Sequence, residues 1–504
     1  MTVPPTPPAP APLPHRKKVF FGYALGAHLL AYDNTMVAIA LPRMQGAMSA
    51  TFDEITWALA AYLIAVAITL PLIGPLADRF GRKNVYLITV GGFAVMTVLA
   101  STSETLLQLV AYRFVQGMFG ASFHPLAQGF VFESYSPKER GQAMGWLTVG
   151  LTSGLATGPI VGGYFTEFFS WQAAFLASLP ASVLSFLIIA SFPQSRPNTA
   201  AMRRFNVEGY VFLAVVLVAL QFVLSRGERL DWFASPQIVI ALCVSGVALY
   251  LFAVHTVTAA TPFIEPAVFG DRNFVIGSVL FFVMGVYWLG TITLASPFLQ
   301  TLTGYPVVTA GGIIATQGVI NGVAGLVAAQ VSRYVTPPLV LAAGASMIAA
   351  SAAYFSILTP DVGYWEVILA LGLGGVGMGF YIVPLAVIAF STLPARHLNV
   401  GAGIFVLGRN FGSSIAAAAV AAYLVRQTQA NHAILIEHIT PFSESFRHIA
   451  LPDAWNLADL TSLAALDAEV TRQASLLAYI DDFRWLTVFV IASIPLLLFV
   501  RMPR

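Results

Sequence analysis

Apolar runs of about 20 residues recur along the chain, each cut off by a short stretch rich in Lys, Arg, Asp, Gly or Pro. A helix of that length crosses the roughly 30 Å hydrocarbon core of a bilayer. The runs lie at 19–41, 55–77, 84–102, 106–131, 141–165, 171–193, 207–225, 236–255, 274–299, 308–331, 338–358, 365–391, 399–425 and 484–502. In lipid a segment must pair its own backbone polar groups, so each run predicts a helix. The fold expected is an all-α polytopic membrane protein with fourteen transmembrane helices. The runs at 207–225 and 236–255 are bounded by turn-rich polar stretches and form a short hairpin. That hairpin splits the rest into two groups of six. The domains read as a tail at 1–18, a six-helix bundle at 19–193, an inserted hairpin with linkers at 194–273, and a second six-helix bundle at 274–504. The last contains a long loop at 426–483.

Composition agrees with a lipid solvent. Apolar residues are 58% and charged residues 10% of the chain, against roughly a quarter charged in soluble domains. Mean hydropathy is +0.79. A net charge of +2 leaves no basic face for a polyanion, so nucleic acid is not an expected partner. The single cysteine, Cys243, excludes a disulfide framework and a cysteine-rich metal site. The first residues, rich in proline, lack the apolar core of a signal peptide and read as a cytoplasmic tail. With the N-terminus inside, sixteen of the 25 Lys and Arg fall inside, seven outside, and Arg113 and Arg409 within helices. That bias places both termini in the cytoplasm. The outside loop 426–483 has helical periodicity from Ala464 to Tyr479 and is expected to be partly helical and packed on the outer surface.

Few residues in the runs carry charge, and each costs roughly 2.5–3.5 kcal/mol to insert. Asp33 and Arg113 lie at matching depths in the first and fourth runs, so the two can meet. Burial disfavours the carboxylate anion and Arg113 favours it, which is the balance a switchable proton site needs. After the second run the chain reads Gly74-Pro-Leu-Ala-Asp78-Arg79-Phe80-Gly81-Arg82-Lys83, and Glu133 lies on the same membrane side. Glycines allow close approach and Arg82 needs an acid, so these residues form an expected inner latch. The fifth run has Gly150, Gly154, Gly158 and Gly162 at every fourth position, with Pro159 adding a bend. The tenth offers Gly311, Gly318, Gly322 and Gly325. Gln317 and Asn321, one turn apart, suit a central cavity or interhelical bonding equally. No HExxH, nucleophile elbow or P-loop occurs, so neither enzyme chemistry nor ATP is expected.

The stretch Gly74 to Lys83 resembles the signature loop of the major facilitator superfamily. Leu109 to Gly120, with Arg113, Gln116, Gly117 and Gly120, is similar to its fourth-helix motif. Gly150 to Gly163 looks like its antiporter motif. Tyr32-Asp33-Asn34-Thr35-Met36-Val37 through Leu41-Pro42, Arg226 to Trp232, Arg409 to Ser414 and Ala478 to Phe483 resemble the fourteen-helix EmrB/QacA-type drug:proton antiporters. The resemblance implies proton-coupled efflux of hydrophobic or amphipathic small molecules by alternating access. Export of one metabolite or siderophore on the same scaffold is the alternative; a channel or membrane enzyme is a third class. It implies a bacterial inner-membrane location, no cofactor and no metal. In Gram-negative cells it implies a periplasmic membrane-fusion adaptor and an outer-membrane channel as partners. Asp33 and Arg113 take the proton-coupling role. Gly74, Asp78, Arg79, Gly81, Arg82 and Glu133 take the latch. Gly150, Gly154, Gly158, Pro159 and Gly162 are expected to pack on Gly318 and Gly322 as a gate. Tyr32, Asn34, Gln317, Asn321 and Arg409 are candidate cavity residues. The second half departs from the pattern: Ala329 to Val335 reads AQVSRYV, with Arg333 where the superfamily usually has an acid.

Overall fold

The computed structural model describes residues 15–192, 206–359, 362–394, 397–439 and 460–501. Most of the N-terminal tail, much of the linker before the hairpin, Arg396 and Arg447 lie outside them. Every regular element among the described residues is helical.

The first bundle contains α1 (Arg16–Ala47), the short α2 (Phe52–Ile55), α3 (Trp57–Phe80), α4 (Arg82–Ser101), α5 (Leu106–Gly120), α6 (Phe123–Ser134), α7 (Pro137–Phe168), α8 (Trp171–Leu176) and α9 (Leu179–Ser191). The hairpin is α10 (Val207–Arg226) and α11 (Pro236–Thr258). After the short α12 (Ala267–Gly270) come α13 (Arg272–Pro297), α14 (Val307–Val331), α15 (Pro337–Phe355), α16 (Tyr364–Ala389), α17 (Leu398–Glu437) and α18 (Leu460–Ser493). Exposed apolar side chains recur at helical spacing on outer faces, as at Val319, Val323 and Val327 of α14. A stripe of that kind suits lipid tails.

Twelve helices among the described residues are long and apolar enough to cross a bilayer. The count expected was fourteen. One of the two missing spans, 106–131, is broken at Ala121 and Ser122 into α5 and α6, and it buries Arg113, Gln116, His124 and Gln128. The other, 141–165, lies within the 32-residue α7, whose glycines and threonines lower its apolarity. Interior contacts, rather than lipid, select the side chains of both.

The described parts of 426–483 are helical, as the periodicity from Ala464 to Tyr479 predicts. α17 continues past its apolar run to Glu437, and α18 starts at Leu460, well before its own. The two extensions pair: Asn431 Nδ2 donates to the Ala474 carbonyl at 3.3 Å, and His432 Nε2 lies 3.1 Å from Asp467 Oδ1. At 1.5 Å per residue the 40-residue α17 is roughly 60 Å long, about twice the hydrocarbon thickness. The described extensions are thus two paired helices that continue the membrane helices beyond their apolar runs.

α1 packs on α7 and α9, α3 on α5, and α4 on α5 and α9. In the other half α13 packs on α17, and α14 and α15 on α16. The halves meet along two seams, α7 with α14 and α3 with α17. The hairpin lies beside the second seam, α10 touching both α3 and α17. Arg226 places its guanidinium 4.0 Å from the Trp57 ring, Arg229 donates to Thr56 Oγ1 at 2.8 Å, and the Tyr210 hydroxyl donates to the Ile68 carbonyl at 3.3 Å. The hairpin is therefore fastened to α3 at several heights.

Candidate functional site

Asp33 and Arg113 meet in the interior of the first bundle. Arg113 Nη1 donates to Asp33 Oδ2 and to Gln116 Oε1, each at 2.7 Å. Gln116 Nε2 donates back to Asp33 Oδ1 at 3.2 Å and to Thr97 Oγ1 at 2.9 Å. The result is a closed ring of acid, arginine and amide. Asp33 is 2% exposed and Arg113 fully buried. The guanidinium carbon lies 4.2 Å from the Tyr62 ring centroid. A charge pair this deep is held only where its lone pairs and protons are satisfied, and here the amide and the ring face supply what lipid cannot. Arg113 Nη2 and the Tyr62 hydroxyl are buried without a hydrogen-bond partner. Sequence reasoning read Gln116 only as part of a motif. Its spacing from Arg113, three residues along one helix, was the available sign of a shared face.

The basic ends of the helices are knitted by ion pairs. Arg82 holds Glu133 through both carboxylate oxygens at 2.5 and 2.6 Å. Gly81 has φ 82°, a left-handed conformation that lets α3 turn directly into α4. Gly74 is buried in α3, while Asp78 and Arg79 are exposed in its last turn. A second pair was not foreseen: Arg16 grips Glu139 at 2.6 and 3.0 Å. Both pairs lie within the first bundle. Between the bundles at this end, Arg333 Nη2 donates to Gln142 Oε1 at 3.0 Å, and the Phe132 and Phe390 rings lie 4.7 Å apart. At the other end of α14, Gly311 and Gly312 face open space. The bundles thus touch at the basic end.

The glycine row of α7 faces a different partner from the one expected. A methyl group on Gly150 would meet the Ala24 carbonyl, one on Gly154 the His28 carbonyl, one on Gly158 Thr35, and one on Gly162 Met36. All four glycines seat α1, inside their own bundle. α7 meets α14 through its neighbouring face: Gly145 lies against the Gly325 carbonyl, and Thr152 against Gly318 and Gly322. Small residues at fourfold spacing signal close approach, and both faces of α7 carry them. Pro159 lies within the continuous helix.

The candidate cavity residues separate. The Tyr32 hydroxyl donates to the Ala174 carbonyl at 2.9 Å, and Asn34 Nδ2 to the Leu30 carbonyl at 3.0 Å. Both bonds stay within the first bundle. Gln317 is 3% exposed in the second bundle, on the side of α14 where Tyr287 donates to Ser351 Oγ at 3.0 Å. Asn321 and Arg409 are buried, with Asn321 Oδ1 and Arg409 Nε lacking partners. α6, which carries His124, packs across the bundles on α17, which carries Arg409, and His124 Nδ1 is also without a partner. Asn321, Arg409 and His124 lie roughly 15 Å along their helices from the basic end, and Asp33 roughly 25 Å.

A family model described as Major Facilitator Superfamily matches residues 23–417. The probable multidrug resistance protein EmrY of Escherichia coli (strain K12) is 25% identical over 487 residues, covering 96% of this chain and 95% of that protein. The multidrug export protein EmrB of Haemophilus influenzae is 25% identical over 469 residues, 92% of this chain and 91% of its own. The fatty acid resistance protein FarB of Neisseria gonorrhoeae is 24% identical over 486 residues, 96% of each. Among solved structures, the human organic anion transporter MFSD10 superposes with a TM-score of 0.59 at 13% identity, covering 95% of this chain and all of that one. That likeness concerns the fold. The chain belongs to the Major Facilitator Superfamily and is a membrane transport protein.

Proposed function

We propose that the chain exports hydrophobic or amphipathic small molecules across the bacterial cytoplasmic membrane in exchange for protons, by alternating access. The observation that carries this is the acid–arginine–amide ring at Asp33, a carboxylate enclosed at depth in a helix bundle. The printed names of EmrY, EmrB and FarB, relatives over nearly the whole chain, support export of toxic small molecules. In this reading the basic end faces the cytoplasm, both termini with it, and the segments 106–134 and 137–168 also cross, for fourteen spans. A drug-susceptibility panel in an efflux-deficient bacterium identifies a cargo. Adding that cargo to purified protein in weak buffer with a pH dye is expected to release protons. Export of the cargo by proteoliposomes that persists after the proton gradient is collapsed would overturn the coupling.

The paired extensions 426–437 and 460–483 are the proposed docking surface for a periplasmic membrane-fusion adaptor. Their polar ladder, including the Arg472–Glu469 pair at 2.8 Å, projects beyond the apolar runs. A photo-crosslinker replacing Arg472 is expected to capture a periplasmic membrane-fusion adaptor. Capture only from positions at the basic end would reject the surface.

A further inference from the structure

Arg409 is a buried cation with no acid. It is 6% exposed, and among the described residues its side chain bonds only to its neighbour Asn410, whose Oδ1 accepts from Nη2 at 2.9 Å. Nε is buried without a partner. Every other deeply buried arginine in a lipid setting needs a counter-charge, because an unpaired charge there costs several kcal/mol. Arg113 has Asp33; Arg409 has nothing comparable.

The surroundings hold the guanidinium in place. α13 clamps the backbone: a methyl on Gly285 would overlap the Arg409 carbonyl, and Ser413 Oγ donates to the Gly285 carbonyl at 3.1 Å. The guanidinium carbon lies 5.7 Å from both the Phe281 and the Trp288 ring centroids. Two aromatic faces stabilise a cation without neutralising it. From the opposite bundle comes His124, which adds no negative charge and has its own unpartnered ring nitrogen.

We infer that Arg409 is the counter-charge for an anionic group on the cargo, and that the site takes aromatic or amphipathic organic acids. This rests on the export reading and adds the cargo's chemical class to it. A guanidinium offers a planar fork that matches a carboxylate through two hydrogen bonds. Phe281 and Trp288 flank that fork and receive the apolar body. The depth, roughly 16 Å along α17 from Leu398, sets the site away from lipid headgroups. Its position facing α6 means that a bound anion touches both halves, so binding is felt by the seam that moves.

The test is binding to the purified full chain in nanodiscs by three probes with one ring system: 2-naphthoate, 2-naphthylmethanol and 2-naphthylmethylammonium. Wild type is expected to bind the carboxylate about tenfold or more tighter than the alcohol, the worth of a charged hydrogen bond. Arg409→Gln is expected to bind carboxylate and alcohol alike. Arg409→Lys keeps the charge and part of the preference. A tenfold carboxylate preference that survives in Arg409→Gln overturns the inference, as does wild type binding the ammonium more tightly or none of the three. If Arg409→Gln binds nothing, Arg409→Lys decides: equal binding of carboxylate and alcohol by it overturns the site. Cargo-driven proton release from wild type judges the export reading separately, so either can fail while the other stands.

Discussion

Asp33→Asn is expected to abolish gradient-driven export while the protein still reaches the membrane. The asparagine keeps a carbonyl for Arg113 and loses the titrating group. In the proposed cycle, proton entry from the outside favours the neutral acid and frees Arg113, and opening to the cytoplasm returns the proton and restores the ring with Gln116. A side chain fixed in the neutral state performs neither half. The substitution also leaves Arg113 uncompensated, and breaking a buried pair costs roughly 3–5 kcal/mol. Lost stability could masquerade as lost coupling. The double variant Asp33→Asn with Arg113→Gln separates them: it is expected to regain most of the thermal stability lost by Asp33→Asn and none of the export. Cargo-induced proton release from Asp33→Asn equal to wild type would move the coupling acid elsewhere, with Glu133 next to be tested.

Arg82→Ala is expected to cut transport severely with little change in stability. Glu133 is about half exposed at 47% and the Arg82 side chain 9% exposed, so solvent still reaches the carboxylate, and ion pairs open to solvent contribute roughly 0–1 kcal/mol to folding. The pair's effect falls on the balance between open and closed states instead. It ties the direct turn between α3 and α4 to α6, and α3 and α6 both touch α17 of the other bundle. A coupling of that kind shifts function by about 5- to 150-fold. Asp78→Asn, in the same turn region, is expected to act in the same direction. Exchanging the charges, Arg82→Glu with Glu133→Arg, tests the pair itself. Recovery of transport by the exchange is the expected result. A swap as inactive as Arg82→Ala, at wild-type expression, would show that the arginine acts through some other partner.

Much of this was legible in the residues. A lone acid and a lone arginine at matched depths have few alternatives in lipid, so the Asp33–Arg113 contact follows from cost alone. Arg82 and Glu133 likewise shared a membrane side and opposite charge. Rotation about a helix axis was not legible. Both small-residue faces of α7 permit close approach, and nothing in the spacing says which face meets α1 and which meets α14. Tyr32 and Asn34 turned inward for the same reason: adjacent residues on one helix point in different directions, and polarity does not say whether a backbone carbonyl or a cavity waits there. Helix from Ala464 to Tyr479 was legible, but its continuity with the membrane helices was not, because hydropathy marks where lipid ends, whereas α17 and α18 continue on their own backbone bonds. The missed Arg16–Glu139 pair joins helices distant in sequence, with no periodicity to connect them.

The two seams between the bundles differ in what lies beside them. α10, fastened to α3 by Tyr210, Arg226 and Arg229, covers the line where α3 meets α17. Among the described residues no helix of the hairpin lies beside the α7–α14 line, and Val319, Val323 and Val327 stand exposed on α14. The molecule therefore has a front and a back within the plane of the membrane. Acyl chains press on the front seam directly, so membrane thickness and fluidity load one of the two sliding surfaces and spare the other.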